Sequence, residues 1–260
     1  RQRQMCIRDR NEHMDEMKKA AADLGIELTY SLGLDPYYDI SSRDEATRLR
    51  GVEYLKNIVE RVGYMGGKVI SGVSYQGWGC TDVDPVEGKK PLLENSLKSM
   101  RELVKVAADN DITYCVEAVN RFEGCLINTA QEALDYVNAV NSPNIGILLD
   151  TYHMNIEESS FSEAIHLAGD KLVNFHTGDN NRRCPGRGHI DFDEIFKALG
   201  DIHYTGRIVS EPFIATGGEV GNAVALWRDL EPDMSPEYRD KEAAYLLQYE
   251  KEKLAKYGLA

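Results

Sequence analysis

Four residues close four successive apolar runs, and each can ligate a metal or carry a proton. "ITYCVEAVN" delivers Glu117, "IGILLD" delivers Asp150, "KLVNFH" delivers His176 and "RIVSEP" delivers Glu211. Each follows residues typical of a buried strand, where an unpaired charge is costly. Taken singly, an acid at a strand end is ordinarily a helix cap or a solvated loop residue, and a lone histidine a satisfied core or surface one. Four in succession point elsewhere. Three carboxylates crowded together repel and push one another's pKa upward, and a divalent cation removes that penalty. Three carboxylates and one imidazole form an oxygen-rich set that suits Mn²⁺, Mg²⁺ or Co²⁺ better than structural zinc. Four protein ligands in a six-coordinate shell leave two positions, which a carbonyl and a neighbouring hydroxyl of a sugar would fill.

More polar groups follow these residues in the chain. Glu123 lies six residues past Glu117 in "NRFEGCLINT", His153 three past Asp150, and Arg182 six past His176 in "HTGDNNRRCPGRGH". Alone, each reads as an ordinary exposed polar residue. Together they fall in the loops that follow the same strands.

The elements that must position them alternate. Helices are predicted at residues 11–25, 44–63, 95–110, 129–140, 159–169, 191–201 and about 236–257. Between them lie strands at 26–33, 68–73, 112–119, 145–150, 171–176 and 207–213. The helix at 44–63 carries Leu49, Val52, Leu55, Val59 and Val62 at the spacing of one buried face. Asp191 with Glu194 forms a capping box. Strict alternation implies parallel strands with crossover helices, so the candidates are an eight-stranded barrel and a doubly wound sheet. No GxGxxG follows the first strand, which counts against a dinucleotide-binding sheet and leaves no organic cofactor expected. In a parallel barrel the chemistry sits at the C-terminal strand ends, where all four residues fall. Six strands are visible where a barrel needs eight, and the readable chain opens on a helix. The expectation is therefore a (β/α)8 TIM barrel lacking its first β-α-β.

The first ten residues, "RQRQMCIRDR", hold four arginines in a chain of 260 residues whose net charge is -13. They read as a non-native scar or a frayed basic terminus, and residues 11–260 as one incomplete barrel domain. The acidic balance excludes a nucleic-acid partner and an anionic membrane surface. No run reaches the roughly 18 apolar residues of a membrane span. Five cysteines, with no CxxC pair, read as reduced thiols of a cytoplasmic protein. "PGRG" (185–188) reads as a tight turn before the Asp191 cap rather than a phosphate-binding turn, with Arg187 unassigned.

"VEAVNRFE", "LLDTYHMNIEE", "FHTGDNNRRCPGRGHIDF" and "SEPF" resemble the ketose 3-epimerase family, the D-tagatose/D-psicose (D-allulose) 3-epimerases, from about residue 14 to the end. The resemblance implies a xylose-isomerase-like TIM barrel that binds one Mn²⁺ or Co²⁺, acts on a small ketose, and assembles as a homodimer or homotetramer. It implies metal ligands Glu117, Asp150, His176 and Glu211, with Glu117 and Glu211 also catalytic. It implies substrate contacts from Glu123, His153 and Arg182, an apolar pocket wall from Trp78, and packing from Trp227. The family's opening strand, helix and strand have no counterpart here, which makes an inactive fragment one alternative. The others keep the barrel and change the reaction: an aldose–ketose or hydroxypyruvate isomerase, or an inosose dehydratase. A metal-dependent endonuclease would want a His-rich site and a basic groove, whereas the chain has only 6 histidines.

Overall fold

A computed structural model describes residues 11–259. The expected features of residues 1–10 lie outside the described residues. The elements run α1 (Asn11–Leu24), β1 (Tyr30–Ser31), α2 (Glu45–Tyr64), β2 (Val69–Gly72), α3 (Lys89–Asp109), β3 (Thr113–Ala118), α4 (Ala130–Val140) and β4 (Ile145–Asp150). They continue with α5 (Thr151–Glu157), α6 (Phe161–Ala168), β5 (Leu172–Thr177), α7 (Phe192–Asp201), β6 (Arg207–Ser210), α8 (Gly218–Ala223) and α9 (Pro236–Tyr257). Contacts gather into two units, one holding β1 to β3 with their helices, the other holding the chain from Leu148 onward. Within the first unit the strands run in the order β1-β2-β3, and within the second β5 lies beside β6.

In the first unit, β1 pairs with β2 and β2 with β3, both parallel. The expected strand at 26–33 shrinks to Tyr30–Ser31, although Leu32 and Leu34 still donate to Ser71 and Val73. α2 buries Val52, Leu55, Ile58, Val59 and Val62, but the predicted face member Leu49 is exposed. Arg48 is buried in its place, bidentate to Glu45 and bonded to the Ser99 hydroxyl. α3 starts at Lys89, six residues ahead of expectation, and carries Pro91 in its first turn. Proline is tolerated there because the N–H it lacks would be unpaired anyway.

In the second unit, β5 and β6 pair in parallel, with His176 opposite Val209 and Thr177 opposite Ser210. β6 ends at Ser210 rather than at the expected residue 213. α7 is capped by Asp191, which accepts from the Asp193 and Glu194 N–H groups. The predicted capping box is half made: the Glu194 carboxylate reaches instead to the Ser162 N–H and the Ser160 hydroxyl of the neighbouring helix. α5 follows β4 without a loop, which the sequence pattern did not reveal. Trp227, expected as packing, is 84% exposed. Among the described residues no helix is long and apolar enough to cross a membrane.

Candidate metal and sugar site

Glu117 is the penultimate residue of β3, buried, with its backbone carbonyl taking a hydrogen bond from the Tyr75 hydroxyl at 2.8 Å. Tyr75 is itself fully enclosed, and burial together with the nearby Glu117 charge raises its phenol pKa well above the usual value. It therefore stays a neutral donor and holds the end of the strand. Beyond it the chain turns through Asn120, and Glu123 is held at both oxygens. Asn120 Nδ2 donates to Oε1 at 3.0 Å and the Trp78 indole N–H to Oε2 at 3.3 Å. Trp78 is thus more than the apolar wall expected of it. Its ring lies so close to Gly33 that a Cβ there would stand 2.8 Å from a ring carbon.

In the second unit Asp150 serves two purposes. Its Oδ1 caps α5 by accepting the Tyr152 N–H at 2.7 Å, which is the ordinary role of an acid in this position. Its Oδ2 is buried and accepts no hydrogen bond among the described residues. That oxygen lies 3.9 Å from His176 Nδ1 and 4.0 Å from an Arg182 nitrogen, while His176 Nδ1 is 3.6 Å from Glu211 Oε2. Asn174 Nδ2 lies 3.4 Å from the other His176 nitrogen. The Glu211 N–H donates to the Thr177 carbonyl, so the β5–β6 pairing continues to the residue that bears the carboxylate.

Arg182 occupies the left-handed region, φ 64°, which a non-glycine residue adopts only when its surroundings hold it there. The loop from Gly178 to Asp191 supplies that hold. The enclosed Asp179 carboxylate accepts N–H groups from Asn180, Gly186, Gly188 and Ile190 at 2.7–3.2 Å. Arg183 is bidentate to Glu231, and Arg187 bidentate to Glu242 with its guanidinium over the Tyr245 ring. Arg187 accordingly ties the "PGRG" turn to α9. The Arg182 guanidinium stacks over Tyr152 at 3.7 Å and faces Phe213 at 5.1 Å. His153 is buried, and desolvation pushes its pKa down to about 3, with Arg182 and His176 adding to the effect against the nearby Asp150. Its ring is neutral near pH 7 and presents one donor and one acceptor nitrogen.

Glu117, Asp150, His176 and Glu211 each offer one ligand atom, and these atoms all lie within 4.8 Å of one another. Ligands on opposite sides of one ion, each at about 2.1–2.2 Å, stand about 4.3 Å apart, so the group could hold one metal ion. The buried Asp150 Oδ2 and the oxygen-rich donors fit a hard divalent cation.

The family model for the xylose isomerase-like TIM barrel matches residues 3–242. The D-psicose 3-epimerase of Ruminiclostridium cellulolyticum is 39% identical over 91% of this chain and 80% of its own length. This chain belongs to the ketose 3-epimerases of the xylose isomerase-like TIM barrel family. A second family member, the D-psicose 3-epimerase of Agrobacterium fabrum, is 38% identical over 85% of this chain and 77% of its own. The solved D-psicose 3-epimerase of Clostridium cellulolyticum H10 with D-tagatose superposes with a TM-score of 0.90. It is 38% identical, covering 95% of this chain and 85% of that one. The family and barrel expected from the sequence are therefore both found.

Sequence reasoning did not mark Tyr152, Phe213, Tyr75 or Asn120. Tyr152 was legible as the residue beside Asp150, and Phe213 as the aromatic closing "SEPF". Nothing in the local pattern distinguishes Tyr75, whose partner carbonyl is 42 residues away.

Proposed function

We propose that this chain inverts C3 of a free ketohexose, of the D-psicose/D-fructose or D-tagatose/D-sorbose kind, by two-carboxylate proton exchange. The observation that carries the reading is that two glutamates share one cluster with an aspartate and a histidine, in a chain of this family. Glu117, Asp150, His176 and Glu211 would together hold one Mn²⁺ or Co²⁺, with Mg²⁺ a third candidate. Bound there, the ion supplies Lewis acidity that polarises the C2 carbonyl and offsets the negative charge developing on deprotonation.

One of the two glutamates takes the C3 proton as general base, leaving a cis-enediolate across C2 and C3. The other returns a proton to the opposite face of C3, and the centre is inverted. The two carboxyls end with exchanged protonation states, so the reverse reaction uses them in swapped roles. Arg182, Glu123 and His153 orient the O1–O3 end of the sugar so that C3 lies between the carboxylates, with Trp78 closing the pocket. The loop clamp on Arg182 and the two donors on Glu123 support this, because a positioning group works only if it is itself held. The same reading carries a cytoplasmic homodimer or homotetramer, which sedimentation would resolve.

D-Fructose incubated with the chain and Mn²⁺ should yield D-psicose, with deuterium from D₂O entering at C3. A chelator should stop turnover and Mn²⁺ or Co²⁺ restore it. Glu211→Gln should remove nearly all epimerisation while the protein stays folded. Turnover indifferent to chelator, or substantial turnover by Glu211→Gln, overturns the mechanism; an aldose or a dehydrated product points to another reaction of the same barrel.

A further inference from the structure

Each candidate ligand of the second unit has a hydroxyl residue beside it in sequence: Thr151 after Asp150, Thr177 after His176, Ser210 before Glu211. The Thr151 hydroxyl both donates to the Gly178 carbonyl, at 2.6 Å, and accepts the Gly178 N–H, at 2.9 Å. It thereby ties the end of β4 to the end of β5. Thr177 and Ser210 are register partners on adjacent strands, and their hydroxyl oxygens are 2.6 Å apart. Both also bond the same oxygen of Glu250, on α9, at 2.5 Å each.

Side chains alternate along a strand, so Thr177 and Ser210 leave the sheet on the face opposite to His176 and Glu211. Glu250 grips the two strand ends from the helix side, behind the candidate ligands. The helix that brings it is docked independently. Asp193 of α7 accepts from Lys253, Lys256 and Tyr257, and Tyr249 meets the Phe192 ring edge-on. A half-buried carboxylate spent on two hydroxyls of the strand ends is not needed to hold α9 in place.

We propose that Glu250 is a positioning residue for the metal centre. By fixing Thr177 and Ser210 it sets the spacing of the β5 and β6 ends, and hence of His176 and Glu211. The inference rests on the reading that those two residues ligate a metal. Only one Glu250 oxygen takes part, so glutamine can present the same oxygen to the same hydroxyls.

The test is Mn²⁺ titration of the metal-stripped full chain by calorimetry, with circular dichroism to verify the fold. Glu250→Leu should bind Mn²⁺ about 10–100-fold more weakly, the usual cost of losing a group that orients metal ligands. Glu250→Gln should bind like wild type. Ser210→Ala removes the clamp from its other end and should also weaken binding, which keeps the test open if Glu250→Leu does not fold. Asp193→Asn loosens α9 without touching the clamp, and should lower the melting temperature while leaving Mn²⁺ affinity unchanged. Wild-type affinity in both Glu250→Leu and Ser210→Ala overturns the proposal. So does an equal loss in Asp193→Asn, which would make the effect one of general loosening. A wild-type chain that binds no Mn²⁺ overturns instead the metal reading itself.

Discussion

Asp179→Asn should destabilise this protein far more than its size suggests. The side chain is fully enclosed, and each of its oxygens serves two backbone donors. Oδ1 accepts from Asn180 and Ile190, Oδ2 from Gly186 and Gly188. Asparagine keeps the shape but turns one oxygen into a donor, so two N–H groups face an NH₂ whichever way the amide is set. A buried donor left unsatisfied costs about 1–3 kcal/mol; Gly186 and Gly188 are exposed residues, so the amide turns its NH₂ toward them and the loss is about 1–3 kcal/mol in all. The clamp also holds the turn that bears Arg182, whose N–H donates to the Asp179 carbonyl. Activity should therefore fall further than the unfolded fraction accounts for. Urea denaturation reads the first effect as a lower midpoint at unchanged slope, and kcat/KM on D-fructose reads the second. Asp201→Asn, at an exposed carboxylate paired with Lys197, is the control and should stay within about 0.5 kcal/mol of wild type. An Asp179→Asn variant as stable as that control, with full activity, would refute the reasoning.

Glu231 is buried and its pKa is lowered, first by the hydrogen bonds from Arg183, with Tyr238 adding another. A carboxyl lowered in the fold contributes stability that is present above its unfolded pKa and lost as pH falls through the folded value. Acid melts of wild type should steepen below about pH 4.3, the unfolded value, and Glu231→Gln should flatten that region. At neutral pH Glu231→Gln should cost about 1.5–3 kcal/mol, the range for a charge-assisted hydrogen bond, because the Arg183 left behind is partly exposed. Trp78→Phe keeps an aromatic ring against Gly33 but removes the N–H donated to Glu123. Steady-state kinetics should show a raised KM with little change in melting temperature, and an unchanged KM would remove Trp78 from the orientation of Glu123.

The alternation of elements, the family and the order of the four candidate ligands were legible in the chain, because they rest on local regularities. A buried parallel strand is a short apolar run, and the residue that ends the run is visible beside it. Glu117, Asp150, His176 and Glu211 could be named for that reason. What holds them could not. Arg187 meets Glu242 across 55 residues, Arg183 meets Glu231 across 48, and Thr177 meets Glu250 across 73. Each looks locally like a solvated polar residue, and only the fold brings Glu231, Glu242 and Glu250 against them to take the place of water. Leu49 and Arg48 show the converse. Periodicity placed the leucine inside, yet the fold buries the arginine because Glu45 and Ser99 satisfy its guanidinium there. Period and composition determine which face of an element is apolar. Whether a charged side chain can leave water depends on partners that only the tertiary structure supplies.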